Sequence, residues 1–207
     1  MSKFRLQEMV IEETVVEKSR FIALLLPLAE AEAFRELLQW SKREYPKARH
    51  YPYAYVYDQS SQSSDDGEPS GTCGRPLLQL LLNHQLNRVL VIVVRYFGGV
   101  KLGASRLLRT YVDAANQAVK KASLLEEVSG FYYEYEFDYR DGQIIQNKIA
   151  LYPEIDAEID YTNSVNMKMT SPNPLETAIN SWLQKEVVPK LVQEQMILLP
   201  VHEPLER

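Results

Sequence analysis

Glycine is concentrated in one stretch of this 207-residue chain, and that stretch constrains the fold more than any other feature. Six of the eight glycines lie between Asp65 and Arg109. Glycine is costly to order, and it is used where the backbone takes a positive φ angle or where another group approaches closely. We therefore expect two shaped loops, called loop 1 (residues 65–75) and loop 2 (residues 97–103). Their glycines are Gly67, Gly71 and Gly74 in loop 1, and Gly98, Gly99 and Gly103 in loop 2.

The two loops differ in charge. Loop 1 carries three carboxylates, Asp65, Asp66 and Glu68, against Arg75 alone. The segment around loop 2 (residues 95–109) contains no acid, and its basic residues are Arg95, Lys101, Arg106 and Arg109. We expect the two loops to meet in space and to form the functional surface.

Composition limits the class of protein. A single cysteine excludes a disulfide framework and indicates a reducing compartment. Residues 1–18 lack the apolar core of a signal peptide. The longest uncharged apolar run, 21–29, is about half of the roughly 20 residues that a membrane helix needs. We expect a soluble, cytoplasmic protein without a membrane partner.

Charge is distributed unevenly along the chain. Residues 1–129 contain 17 basic and 15 acidic residues, a net charge of +2, whereas residues 130–207 contain 6 and 13, a net charge of -7. A shift of this kind indicates a domain boundary. The sequence therefore predicts two domains, 1–129 and 130–207, and only the first offers a basic surface.

The first domain combines apolar strands with amphipathic helices. We expect a hairpin that turns at Ser19-Arg20, a buried central strand at 89–95 and an α/β unit with mixed sheet pairing. Helical spacing of apolar residues predicts helices over 29–45, from Pro76 to about 86, and 104–121. Residues 59–64 (QSSQSS) are polar and predict a flexible segment.

The second domain follows the order strand, helix, strand, strand, helix, strand. The strands are expected at 131–138, 154–161, 165–170 and 196–199, and the helices at 141–151 and 174–191. This βαββαβ order is that of ferredoxin-like folds. The fold class predicted for the whole chain is therefore α+β.

Loop 2 joins a strand to a helix through glycines, and this arrangement favours anions. Gly98, Gly99 and Gly103 allow close approach to the backbone, and the helix that follows presents free N–H groups. Lys101 lies between them. The loop is thus a candidate cradle for a phosphate or a carboxylate, although it matches neither GxxxxGK[ST] nor GxGxxG. The alternative is a structural turn whose basic side chains pair with the acids of loop 1.

The acids of loop 1 suit a turn better than a metal site. Asp-Gly and Pro-Ser-Gly are typical of turns, and no spacing for a zinc or calcium site is present. We expect no metal and no cofactor. Cys73 has no partner base in any motif, so we expect it to be a small packing residue. His50 is the histidine expected to line the same surface.

Four tyrosines alternate along residues 51–57 (YPYAYVY), so they point to one side of a strand. Such a stripe can stack nucleic-acid bases or bind a partner strand. The alternative is a half-buried sheet face whose hydroxyl groups reach water.

Three blocks of sequence together resemble the YigZ/IMPACT family. They are KSRFIA (18–23), DDGEPSGTCGRP (65–76) and VVRYFGGVKLGASRLLRTY (93–111). The resemblance implies an N-terminal α/β domain similar to the second domain of a small-subunit ribosomal protein. It also implies a ferredoxin-like C-terminal domain similar to the last domain of elongation factor G. The family pattern has Gly-Gly where this chain has Ser105-Arg106, which makes loop 2 and its helix more basic here.

Three functions follow as hypotheses. The first is a non-catalytic, translation-linked protein that contacts RNA, the ribosome or a translation factor through the basic segment around loop 2; regulation of translation is what the resemblance implies. The second is an enzyme or binder acting on a small phosphorylated ligand between the loops. The third is a protein-interaction module that uses the strand Tyr51–Tyr57. The sequence identifies no catalytic residue.

Overall fold

The structure is a computed structural model, and it describes residues 3–201. This range forms a mixed α and β protein with two sheets and five α-helices. Contacts divide it into two compact units, the first running to Glu126 with the addition of Val201, the second from Glu127 to Pro200. The boundary predicted at Ser129-Gly130 lies inside one strand, and the domain assignment stays a prediction. Within 3–201 no helix is long and apolar enough to cross a membrane.

The elements alternate along the chain. The strands are β1 (Lys3–Leu6), β2 (Val10–Val16), β3 (Ser19–Pro27), β4 (Tyr53–Tyr57), β5 (Ser60–Ser64), β6 (Val89–Tyr96), β7 (Leu124–Phe137), β8 (Asp156–Tyr161), β9 (Val165–Ser171) and β10 (Leu191–Pro200). The helices are α1 (Phe34–Glu44), α2 (Gly74–Asn83), α3 (Ala104–Lys121), α4 (Tyr139–Ile149) and α5 (Glu176–Leu183). A short 3-10 turn, Ala31–Ala33, precedes α1.

The main sheet of the first unit has the strand order β2-β3-β6-β4-β5. Every neighbouring pair in it is antiparallel, so the predicted mixed pairing was wrong. Tight turns explain this, because β2–β3 and β4–β5 are hairpins, and a hairpin can join only antiparallel strands. Strand β6 lies at the centre, and its residues Val89 to Val94 are 0% exposed, as predicted for a strand buried on both faces.

The first hairpin turns two residues earlier than predicted. Its turn is Glu17-Lys18, with φ angles of 47° and 64°, and Val16 pairs with Ser19. Two consecutive residues with positive φ are typical of hairpin turns that match the twist of the strands. Ser19 belongs to β3 because it is fully buried and its Oγ accepts the N–H of Gly98 at 3.0 Å.

The tyrosine stripe is buried and does not form a binding surface. Tyr51, Tyr53 and Tyr55 are each 8% exposed, and the ring of Phe34 from α1 stacks on Tyr53 and Tyr55 with centroids 5.7 and 4.7 Å away. Strand β4 also has a neighbour on both sides, β6 and β5. The hypothesis of an interaction module on this strand was therefore wrong, because the apolar face of α1 covers it.

The opposite face of the sheet packs on α2 and α3. Buried side chains there include Phe21, Leu77 and Tyr111. Burying one large apolar side chain stabilises a fold by about 1.5–3 kcal/mol. This core fixes the start of α3 near the end of β6, the two elements that loop 2 joins.

The second unit has the predicted element order βαββαβ. Strand β9 lies between β7 and β8, and β10 pairs with β7. The largest differences from the predicted boundaries are that β7 already begins at Leu124, α5 ends at Leu183 and β10 begins at Leu191. Helix α5 stops because Gln184 is left-handed, with φ of 53°. The side chain of Asn180 then accepts the N–H of Val187 at 2.8 Å, which closes the turn.

Candidate functional site

The two loops meet at a cleft of about 420 Å³ in the first unit. Loop 1 lines it with Gly67, Glu68 and Pro69, and loop 2 with Phe97 and 101–103. The remaining walls come from Arg49, His50, Arg95, Ala104 and Leu107. The expectation that the loops come together therefore agrees with the structure.

Asp65 holds loop 1 to the start of α2. Its Oδ1 accepts the N–H groups of Cys73 and Gly74 at 2.9 and 2.8 Å, and its Oδ2 accepts that of Gly71 at 2.8 Å. Burial acts to raise the pKa of this carboxyl, but the three backbone bonds outweigh burial and lower the pKa. Asp65 is thus a remote cap of a helix N-terminus, where the first N–H groups lack helical partners.

Asp66 positions His50. Its Oδ2 accepts the N–H of Tyr51 at 2.7 Å, and its backbone carbonyl lies 2.8 Å from Nδ1 of His50. A carbonyl oxygen only accepts, so Nδ1 must carry the hydrogen. This leaves Nε2 of His50 as the ring nitrogen available at the cleft.

Glu68 is the acid of loop 1 that lies within the cleft. Its side chain is 5% exposed, and its Oε1 accepts from Nη1 of Arg95 at 2.5 Å and from the hydroxyl of Tyr111 at 2.7 Å. Burial, and then the charge of Glu68, raise the pKa of Tyr111, which keeps that hydroxyl a donor. The other oxygen, Oε2, lies 4.0 Å from Nε2 of His50.

Arg95 is the last residue but one of β6, and it lines the cleft. Its side chain is 7% exposed. Its guanidinium stands over the rings of Phe21 and Phe97, at 5.4 and 5.6 Å from their centroids. Within residues 3–201, Nε of Arg95 is buried and has no hydrogen-bond partner. Buried donors are normally satisfied, so this N–H is an exception within the first unit.

Helix α3 begins at the cleft without a cap. Gly103 precedes it with φ of 76°, a conformation that favours glycine. The first helical bond runs from the N–H of Leu107 to the carbonyl of Gly103 at 2.9 Å. The N–H groups of residues 104–106 therefore have no intrahelical acceptor, and the first turn holds no acid. The positive end of an 18-residue helix is left open to an anion.

The rim of the cleft is basic and partly aromatic. Phe97 is 40% exposed, and the guanidinium of Arg49 lies 5.8 Å from its ring centroid. Lys101 forms no ion pair with any residue that the structure describes. An aromatic ring flanked by cations is a typical surface for stacking nucleic-acid bases.

Some predicted site residues lie elsewhere. Gly98 packs on the backbone of Lys18, where an added Cβ would lie 2.1 Å from a carbonyl carbon, so its role is structural. Gly99 faces open space with φ of 91°. Arg106 pairs with Glu17 at 3.0 Å, and Arg106 and Arg109 line an adjoining open depression at the start of α3. The structure thus gathers His50, Glu68, Arg95, Lys101 and Gly103 in the cleft.

Sequence reasoning missed three contributors, which are Arg49, Phe97 and Tyr111. Tyr111 was assigned only to the apolar stripe of α3. A signal existed, because a tyrosine on a core-facing stripe needs a hydrogen-bond partner for its hydroxyl group. The contact of Arg49 with Phe97 spans 48 positions in the sequence and has no local signal.

The sequence of the first unit matches a recognised domain family. Residues 17–119 match the Impact N-terminal domain. The chain is 31% identical to the IMPACT family member YvyE of Bacillus subtilis over 185 residues, which are 88% of this chain and 85% of that protein. It is 33% identical to the IMPACT family member YigZ of Escherichia coli over 171 residues, or 79% and 81% of the two chains. The protein belongs to the IMPACT family.

The fold of this chain resembles that of a solved structure over nearly its whole length. A crystal structure described as that of a hypothetical protein covers 98% of this chain, and the match covers 98% of that chain. The TM-score is 0.60 and the sequence identity is 25%. The overall fold is therefore shared with a protein whose structure has been determined.

Proposed function

We propose that this protein is a non-catalytic binding protein that contacts RNA phosphates through the cleft and its basic rim. One observation carries the proposal: the uncapped N-terminus of α3, Arg95 and Lys101 line the same cleft. Helix N-termini and arginine donors both favour phosphate oxygens. Lys101 adds a positive charge that is not neutralised by a partner in the described range.

The rim favours a nucleic acid over an acidic protein. Phe97 is exposed beside Arg49, and the second depression extends the basic surface along α3 to Arg109. Backbone-tracking cations with an aromatic platform are the usual means of binding single-stranded nucleic acid. A carboxylate-rich partner would use the cations but not the ring.

Cys73 is poorly suited to be a nucleophile. Burial raises the pKa of its thiol to about 12, which leaves almost no thiolate near neutral pH. Oε1 of Glu68 already accepts two hydrogen bonds from within the protein. The thiol therefore supports binding rather than covalent chemistry.

A small phosphorylated ligand is the second candidate. The cleft volume of about 420 Å³ lies within the range of roughly 300–1,000 Å³ typical of small-molecule sites. Such a ligand would raise the melting temperature of the protein in proportion to the logarithm of its concentration. A screen of nucleotides and sugar phosphates measures this, and a shift without RNA binding would favour this candidate.

The decisive experiment compares two charge reversals on or next to α3. Lys101→Glu changes the cleft, and Lys120→Glu makes the same change at the exposed far end of the helix. We expect Lys101→Glu to weaken binding of a single-stranded RNA about tenfold or more and to reduce the slope of log K against log salt by about 1, whereas Lys120→Glu changes little. Equal losses in both variants, or no RNA binding by the wild type, would contradict the proposal.

The link to translation that the family resemblance implies stays a prediction. Co-sedimentation of the same three proteins with ribosomes at low and moderate salt tests it. We expect the wild type and Lys120→Glu to sediment with ribosomes and Lys101→Glu to stay in the supernatant. If all three stay in the supernatant while RNA binding persists, the RNA partner lies outside the ribosome.

A further inference from the structure

A gap in the hydrogen bonding of the cleft separates His50 from Glu68. Nε2 of His50 and Oε2 of Glu68 lie 4.0 Å apart, too far for a hydrogen bond. We propose, on the basis of the RNA-binding function above, that this pair binds a ribose 2′-hydroxyl group. The cleft would then prefer RNA to DNA of the same sequence.

Glu68 supplies an acceptor that a ligand must satisfy. Its Oε1 already accepts from Arg95 and Tyr111, whereas no donor among residues 3–201 lies within bonding distance of its Oε2. The side chain is only 5% exposed, but Oε2 is not among the fully buried atoms without a partner, so a ligand in the cleft can reach it. A carboxylate only accepts hydrogen bonds, so the group that fills the gap must be a donor. A phosphodiester oxygen has no hydrogen to give.

His50 supplies the complementary side. The carbonyl of Asp66 holds its Nδ1, which fixes the ring and leaves Nε2 on the side of Glu68. A hydroxyl group about 2.8 Å from each atom would donate its hydrogen to Oε2 and present its oxygen to the ring edge at Nε2. A hydroxyl group is the simplest ligand group able to do both.

The neighbouring donors explain why the hydroxyl group would belong to RNA. In RNA the 2′-hydroxyl adjoins the 3′-phosphate, and the 2′-hydroxyl is the group that distinguishes RNA from DNA at a given site. Arg95, Lys101 and the first residues of α3 line the same cleft as the pair. The phosphate and the adjoining hydroxyl group would thus meet donors and the His50–Glu68 pair together. A site built to bind a hydroxyl group discriminates against an analogue that lacks it.

The experiment uses three oligonucleotides composed only of A and C, so that the thymine methyl group plays no part. These are single-stranded RNA, DNA and 2′-O-methyl RNA, each titrated into the full chain. We expect RNA to bind about tenfold or more tightly than DNA, and the 2′-O-methyl form to bind like DNA because it cannot donate. Because the ligand carries the change, this comparison does not depend on a variant that must fold.

Two variants assign the effect to residues. We expect His50→Phe, which keeps a ring but has no polar edge, to bring RNA affinity close to that of DNA, whereas Lys101→Glu should weaken both and keep their ratio. Equal binding of RNA and DNA by the wild type would overturn this inference and leave the proposed function intact. Binding of neither would overturn both. A preference for RNA that His50→Phe retains would overturn the assignment to this pair.

Discussion

Loops 1 and 2 each contain three glycines, yet they use their polar groups in opposite ways. The carboxylates of loop 1 bond to the protein itself, Asp65 to three backbone N–H groups, Asp66 to Tyr51 and Glu68 to Arg95 and Tyr111. Loop 2 ends in helix N–H groups that lack intrahelical acceptors, and its Lys101 has no ion pair in the described range. Loop 1 thus uses its carboxylates mainly within the protein, with Oε2 of Glu68 as the exception at the cleft, whereas loop 2 leaves its donors to a ligand.

The largest expected effect is at Gly98, the residue of loop 2 that packs closely on the rest of the protein. In Gly98→Ala the new Cβ would lie 2.1 Å from the carbonyl carbon of Lys18 and 2.3 Å from its oxygen. Because backbone cannot move aside as a side chain can, we expect a loss of about 3 kcal/mol in the free energy of unfolding. Urea unfolding of the variant and of the wild type measures this loss.

Gly99→Ala is the matched control in the next position. Its Cβ would meet nothing within 4 Å, but its φ of 91° is unfavourable for alanine. We expect a loss of about 1 kcal/mol from backbone strain alone. Equal losses at the two positions would show that close packing against Lys18 is not what requires Gly98.

The next effect tests whether loop 1 is structural. Asp65→Ala leaves three backbone N–H groups without their acceptor, and we expect a loss of about 2 kcal/mol in the free energy of unfolding. Lys101→Ala in loop 2 should change stability by less than about 0.5 kcal/mol, as is usual for exposed positions. Comparable losses in the two loops would remove the contrast between them.

Acid should weaken the contribution of Asp65 in a defined direction. Its pKa is lowered in the folded protein, so its stabilisation is present above its unfolded pKa of about 3.9 and is lost as pH falls through the lower folded value. The stability difference between the wild type and Asp65→Asn should be constant near neutral pH and shrink below about pH 4. A difference that does not change with pH would show that the charge of Asp65 does not matter.

The smallest expected effects on stability are those of substituting the two arginines of α3, Arg106 and Arg109. Arg106 pairs with Glu17, but both side chains are about half exposed, at 56% and 43%. Exposed pairs contribute roughly 0–1 kcal/mol, so Arg106→Gln should cost about 0.3 kcal/mol and Arg109→Gln nothing measurable. For RNA affinity we expect Arg109→Gln to cause the larger loss, because Arg109 forms no ion pair with any described residue and is free to bind RNA. Thermal unfolding and RNA titration of both variants check this.

The sequence predicted elements well where burial dictated the pattern. The apolar run at 89–94 indicated a central strand, and the stripe on α3 predicted its bounds of 104 and 121. Strand β5 escaped prediction because its residues, SSQSS, are polar, and only backbone pairing with β4 makes it a strand. The end of α5 also escaped, since one left-handed residue, Gln184, stops the helix without a glycine.

The site was predictable in outline only. Opposite charge suggested that the loops meet, but charge could not tell which acid would lie in the cleft. Side-chain length and loop geometry decide it: Asp65 and Asp66 reach nearby backbone N–H groups, whereas the longer Glu68 reaches Arg95, 27 positions away. Arg95 itself was assigned to the cleft by charge, while its unpartnered Nε could be recognised only in the folded protein.

The position of Cys73 provides a built-in way to observe loop 1. It is the single cysteine of the chain, is 0% exposed, and donates its N–H to Asp65. A thiol reagent can reach it only when the loop opens or the protein unfolds. The rate of labelling in the native protein therefore counts opening events, as amide hydrogen exchange does. No residue has to be substituted to attach the label, so the opening of this loop can be measured with and without RNA in the wild-type protein.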